Sequence, residues 1–258
     1  MIGVIDSGTG GLHILAALLK RLPSEDIVYY ADTARAPYGS RSVETIVAGA
    51  LEGAERVRCS GARVLVAASH TIATVARDAL AQRFGDAIFD VATLAAEMAL
   101  EASRRKRIGV VASCATADSR RYEDLIRARC PQAEVFVAAC PLWAPLVEEG
   151  WLKRRETALV VKRGVRGIKQ RAVDALILGS SAFLGLQRVI QRKIGPQVVL
   201  VEASERLAAR VAESIGHQAL PAASGGRSVR LLVSDLAPQV VAAARSICGR
   251  DVKLEKVG

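Results

Sequence analysis

The sequence predicts an α/β protein of two similar, doubly wound lobes with parallel-sheet cores. Short apolar strands alternate with apolar-periodic helices along the chain, as crossover connections between parallel strands require. Two strand-and-turn stretches also recur at nearly one spacing. Ile2-Gly3-Val4-Ile5-Asp6-Ser7-Gly8 is echoed 106 residues later by Ile108-Gly109-Val110-Val111-Ala112-Ser113-Cys114. The strand ending at Ser69 is echoed by the one ending at Ser180, 111 residues later. This predicts an internal duplication, with the first lobe at 1–92 plus 207–258 and the second at 93–206. The two lobes are expected to face one cleft. Of the 258 residues 51% are hydrophobic but only 4% aromatic, so Ala, Val, Leu and Ile must fill a core large enough for one large or two small domains.

Residues 1–5 read as the first strand, followed by Asp6-Ser7-Gly8-Thr9-Gly10-Gly11 and a helix over 12–22. Strand, glycine loop and helix is the layout of an anion site. A dinucleotide fingerprint would need glycine where His13 stands, and no Walker pattern occurs. The glycines would let the backbone approach a small ligand, with Asp6 as an acid at the strand's carboxyl end. The other reading is a helix cap made by Ser7 or Thr9. Next come a strand over 26–30, a loop over 31–39 closing in the turn Pro37-Tyr38-Gly39, and an amphipathic helix over 42–58. A strand over 64–68 reaches Ser69, and a helix over 71–84, a strand over 88–91 and a helix over 93–105 follow.

The second half repeats the alternation, with strands from 108, at 134–138, 175–178 and 198–201, and helices at 153–171, 184–193 and 204–215. Helix 153–171 has an apolar face of Val161, Val165, Ile168 and Ala172, with a basic stripe of Lys162, Arg166 and Lys169 beside it. A connection over 218–228 with Pro and paired Gly leads to a strand over 229–233, a helix over 238–247 and a last strand near 251–254. Open parallel sheets hold ligands beyond the carboxyl ends of their strands. Asp6, Ser69 and Ser180 all follow strands there, so they are predicted to converge.

The five cysteines are odd in number and contain no CxxC, and the three histidines are scattered, so neither a disulfide framework nor a metal site is predicted. No apolar run is long enough to span a bilayer, and no secretory signal is read at the N-terminus. The expectation is a cytoplasmic protein that does not enter a membrane. The net charge of +10 is uneven: residues 101–200 hold 19 Lys and Arg against 9 Asp and Glu. Such an excess suits a solvated basic surface or an acidic partner.

Four stretches resemble the glutamate racemases of the aspartate/glutamate racemase superfamily: Ile5 to Leu12, Tyr30 to Gly39, Cys140 to Gly150, and Gly249 to Val257. The likeness runs from end to end. It implies two α/β lobes related by a pseudo-two-fold axis, and interconversion of L- and D-glutamate for peptidoglycan without cofactor or metal. In that chemistry two opposed cysteines act in turn as base and acid at Cα. The family pattern Ala-Cys-Asn-Thr is here Ala68-Ser69-His70-Thr71, and Gly-Cys-Thr-His is here Gly179-Ser180-Ser181-Ala182. Carried over, the catalytic positions are Ser69 and Ser180, assisted by Asp6 and by the acid at Glu148 or Glu149. Ser7, Pro37, Tyr38, Gly39, His70, Thr71 and Ser181 would bind substrate. A serine hydroxyl does not ionise usefully near neutral pH without a base beside it, so racemisation is expected to be impaired. The other readings are an active isomerase with His70 or Cys114 as base, and a module binding nucleic acid or a partner through the basic lobe. The partners implied are a small amino acid or dicarboxylate, a second copy in a homodimer, and an acidic protein such as DNA gyrase.

Overall fold

The computed structural model describes residues 1–218, 228–248 and 252–257. Most of the predicted connection at 218–228, and Gly249, Arg250 and Asp251 of the closing stretch, lie outside the described residues. In chain order the first elements are β1 (Ile2–Asp6), α1 (Leu12–Arg21), β2 (Ile27–Ala31), α2 (Val43–Cys59) and β3 (Val64–Ala67). Then come α3 (His70–Val75), α4 (Arg77–Phe84), β4 (Ile88–Asp90), α5 (Val91–Ala102), β5 (Arg107–Ala112), α6 (Cys114–Asp118) and α7 (Arg121–Arg129). The middle continues with β6 (Glu134–Ala139), α8 (Trp143–Glu148), α9 (Arg155–Gln170), β7 (Ala175–Gly179), α10 (Gln187–Ile194) and β8 (Val199–Val201). The last are α11 (Ser204–Gln218), β9 (Val229–Val233), α12 (Pro238–Cys248) and β10 (Lys253–Lys256).

The chain divides into two compact units, Met1–Val91 with Ser204–Gly258, and Ala92–Ala203. The first holds a parallel sheet in the order β10-β9-β2-β1-β3-β4, and the second a parallel sheet in the order β6-β5-β7-β8. The expected fold class, α/β with two parallel-sheet cores, is the observed one. The arrangement β2-β1-β3 recurs as β6-β5-β7. In each sheet the chain steps to one side of its first strand and then crosses to the other. Such a reversal opens a crevice beyond the strands' carboxyl ends. The repeated Ile-Gly-Val strands share a packing device. A side chain at Gly3 would sit 2.7 Å from Val57 Cγ2 of α2, and one at Gly109 would sit 2.6 Å from Ile168 Cγ2 of α9. Each glycine lets a crossover helix lie close on its strand.

Two local expectations are corrected. The helix expected over 71–84 is kinked at Ala76 into α3 and α4. Thr71, Ile72, Thr74 and Val75 are β-branched, which lowers helix propensity. Thr74 Oγ1 also donates to the His70 carbonyl at 2.8 Å, a back-bond that bends helices. The helix expected over 184–193 begins instead as a 3₁₀ turn over Ser181–Leu186 that runs into α10. No element is predicted between 115 and 133, because α6 and α7 carry no clear apolar period. Tyr122 and Ile126 are the buried residues of α7, and left-handed Arg120 separates the two helices.

All four tyrosines are buried, so their hydroxyls need partners inside the protein. Tyr38 donates to Asp32, while Tyr30 has no partner for its hydroxyl among the described residues. Gly49 on α2 makes the room for Tyr38: a Cβ there would lie 1.9 Å from Tyr38 Oη and 3.1 Å from Asp32 Oδ2. Gly49→Ala should therefore destabilise by about 1–3 kcal/mol through overpacking, exceeding the roughly 1 kcal/mol gained in helix propensity. In a Tyr38→Phe background the same change should cost less, because the hydroxyl is gone. Denaturant melts of the two single variants and the double variant measure that coupling. Equal costs in both backgrounds would contradict the assigned clash.

Candidate active site

In the first unit the crevice beside β1 is bounded by the glycine loop after β1 and by the start of α3 after β3. Asp6 ends β1 and is only 3% exposed. Its Oδ2 accepts from the Gly11 backbone N–H at 2.8 Å and from the Tyr29 hydroxyl at 2.7 Å. Burial pushes the Asp6 carboxyl above the usual carboxylate range, against the hydrogen bonds from Tyr29, Gly11, Ser7 and Gly8. Gly11 has no space for a side chain, since a Cβ would meet Ala68 Cβ at 2.7 Å. The N-cap of α1 is Gly11, whose N–H is taken by Asp6, and neither Ser7 nor Thr9 is its N-cap residue.

Ser7 and Ser69 touch. Their hydroxyls share a 2.9 Å hydrogen bond, and Ser69 also caps α3 by accepting from the Ile72 N–H at 3.4 Å. His70 is the first residue of α3 and, like Thr71, is buried. Burial pulls the His70 imidazole down to about 3. The ring is therefore neutral at physiological pH and offers one donor and one acceptor.

The Ala36–Pro37 peptide is cis, and Tyr38–Ser40 form a 3₁₀ turn. Pro37 is exposed, Gly39 half-buried and Tyr38 buried. The hub of this loop is buried Asp32. It pairs with Arg35, accepts from Tyr38, and accepts from Ser234 Oγ at 2.9 Å. The Asp32 N–H donates to the Asp6 carbonyl at 3.1 Å, which ties the loop to the end of β1. Thr33 and Asp235 exchange hydrogen bonds of 2.6 and 2.7 Å, fixing the loop to the end of β9.

In the second unit the equivalent crevice lies between the ends of β5 and β7. Ser180 is extended and half-buried, and Ser181 opens the 3₁₀ turn. Neither hydroxyl has a hydrogen-bond partner among the described residues. Across the crevice, Ser113 Oγ donates to Thr116 Oγ1 at 3.0 Å and Cys114 starts α6. Cys140 is buried, and burial, with Cys114 nearby, pushes its thiol up to about 12. The turn after β7 packs on α8, with Trp143 and Phe183 ring centroids 4.9 Å apart. Glu148 ends α8 on the surface. Partial burial of its carboxyl, and then neighbouring Glu149, raise it from the usual value. Among the described residues no group of three His, Cys, Asp or Glu side chains could hold a metal ion, and no helix is long and apolar enough to cross a membrane.

Sequence reading missed Tyr29 and Asp32, the residues that fix the two loops of the first unit. A weak signal existed: β2 carries adjacent tyrosines, and a buried tyrosine needs a polar partner.

The family described as Asp/Glu/Hydantoin racemase matches residues 2–210. The chain belongs to this family. Within it, the chain is 37% identical over 236 residues to a glutamate racemase of Geobacter metallireducens, covering 91% of this chain and 87% of the relative. The structure is similar to that of glutamate racemase isoform RacE1 from Bacillus anthracis, with a TM-score of 0.93 at 26% identity over 100% of this chain and 97% of that one. It is also similar to the glutamate racemase of Francisella tularensis solved in complex with D-glutamate. There the TM-score is 0.92 at 27% identity, over 100% of this chain and 97% of that one.

Proposed function

We propose that this member of the family binds glutamate, or a closely related acidic amino acid, and interconverts its enantiomers slowly, without metal or cofactor. The glutamate racemases to which it is similar supply the substrate class, and the resemblance supplies the link to D-glutamate for peptidoglycan. Racemisation removes a proton from Cα on one face and returns one on the other, so it needs two groups that each serve as base and acid. By the family pattern those groups are Ser69 and Ser180, with Asp6 and Glu148 assisting.

The observation that carries the reading is the setting of Ser69. Its hydroxyl is held by Ser7 Oγ and the Ile72 N–H, neither of which is a base. A thiolate is within reach of neutral pH because a free cysteine titrates at about 8.5, but a serine hydroxyl held this way keeps its proton. The adjacent His70 does not compensate, because an imidazole pulled down to about 3 is a weak base. Substrate binding is a separate matter. A neutral His70 presents the same kinds of donor and acceptor as the asparagine of the family pattern.

Binding and turnover are tested separately. L- and D-glutamate should each raise the thermal midpoint by several degrees, since a hundredfold excess over Kd stabilises by about 2.7 kcal/mol. Circular dichroism should then show racemisation far slower than that of a cysteine-bearing relative measured alongside. No stabilisation by either enantiomer at millimolar concentration would overturn the assignment of glutamate.

A further inference from the structure

We propose that the groove between α9 and α10 of the second unit is a docking site for the phosphate backbone of double-stranded nucleic acid. The groove is lined by Lys162, Val165, Arg166, Lys169, Gln170, Arg192 and Lys193. The basic stripe of α9 forms one wall, and Arg192 and Lys193 of α10 form the other. Both helices are strongly amphipathic. Val161, Val165 and Ile168 of α9, and Val189, Ile190 and Ile194 of α10, are buried. That packing fixes the two helices side by side and turns their cations outward. The Lys169 ammonium donates to the Lys193 carbonyl at 3.0 Å, joining the two walls.

What distinguishes this groove from an ordinary solvated surface is the lack of acids. Elsewhere the described arginines are commonly paired, as in Arg35–Glu52, Arg56–Glu52, Arg129–Glu97 and Arg230–Glu255. None of the five groove cations forms an ion pair among the described residues. The acid of α9 is Glu156 in its first turn, and α10 has none. Cations converging on one concavity without acids repel one another, and a polyanion relieves that repulsion. From Lys162 to Lys169 the stripe runs about 10 Å along the helix at ~1.5 Å per residue. That length matches a short run of backbone phosphates, spaced about 3.4 Å along the axis of each strand. The groove holds no aromatic side chain on which unpaired bases could stack, which favours a duplex over a single strand. Contacts of this kind position a protein on a duplex but read no sequence.

The test is fluorescence anisotropy with a labelled duplex of about 20 base pairs, titrated between about 50 and 200 mM KCl. With four to five phosphates neutralised, the slope of log K against log salt should be about −3.6 to −4.5, a loss of roughly 150- to 500-fold over that range. Lys162→Gln, Arg166→Gln, Arg192→Gln and Lys193→Gln together should flatten the slope by about 3–4. A control variant removes the same charge from exposed residues of the first unit (Arg21, Arg63, Arg83 and Arg245, each to Gln) and should leave the slope nearly unchanged. If the fourfold groove variant melts early, Lys162→Gln with Arg166→Gln, both exposed, should still flatten it by about 2. Absence of binding at 50 mM, equal losses in groove and control variants, or saturable binding of inorganic triphosphate without binding of duplex would each overturn the proposal. Glutamate turnover does not enter the readout, so this result and the racemase reading stand or fall separately.

Discussion

Restoring four residues together, Ser69→Cys, Ser180→Cys, His70→Asn and Ala182→His, should raise glutamate racemisation by at least about 10²-fold, the lower end of what one positioned acid or base contributes. The two cysteines alone should recover little of this. A thiol at position 180 would still lack the histidine of the family pattern, where Ala182 stands. The gains should be strongly non-additive, because groups that act on one proton act as a unit. Stability does not account for such an increase. Ser69 caps α3 through the Ile72 N–H, and cysteine is the poorer cap, so the variant should lose about 0.5–2 kcal/mol. A gain in rate accompanied by a lower melting temperature would be the signature of restored chemistry. Full activity from the two cysteines alone would show that positions 70 and 182 are indifferent.

The second large effect concerns acid. The unfolded chain takes up a proton at His70 near its ordinary value of 6.5, whereas the folded chain holds the ring neutral down to about 3. Below pH 6.5 the unfolded state therefore binds more protons, and stability falls as pH drops through this window. The loss attributable to His70 should reach a few kcal/mol, at about 1.4 kcal/mol per pH unit over its steepest part. Asp6 works in the opposite sense, since its raised carboxyl favours the folded state as it protonates. The comparison that isolates His70 is the natural protein against His70→Asn, with Asp6 intact in both. Urea melts from pH 7 to pH 4 should show the variant losing less stability than the natural protein. Parallel curves for the two proteins would mean that the imidazole is not buried as described.

Much of the fold is legible in the chain. Most strands are readable because they are short apolar runs bounded by turn residues, and buried parallel strands need little else; β10, with Leu254 as its one apolar residue, is the exception. The doubled Ile-Gly-Val strand foretold two sheets of like order. The elements that escaped are those whose identity is decided by tertiary contacts. α7 buries two side chains of its nine, too few to mark a period. The kink at Ala76 depends on a threonine bonding backward to a carbonyl. At the candidate site, the strand ends placed Asp6, Ser69 and Ser180 at parallel-sheet crevices. The hydrogen bonds of Asp6 with Tyr29, and of Asp32 with Tyr38, could not be read. The first joins residues brought together only once β1 and β2 pair, and the second depends on how the loop after β2 folds back on itself. The basic stripe of α9 was visible as helical spacing, but its second wall was not, because nothing in the sequence says which helix packs beside it.

The most direct test of the central claim is exchange of the Cα proton of L-glutamate in heavy water, followed by proton magnetic resonance. It requires deprotonation on one face alone and does not wait for inversion. With Ser69 and Ser180 as the only groups at the two positions, the natural protein should exchange this proton at under about one hundredth of the rate of a cysteine-bearing relative at equal concentration. Exchange at a comparable rate would contradict the account and move the search for the base to His70 and Cys114.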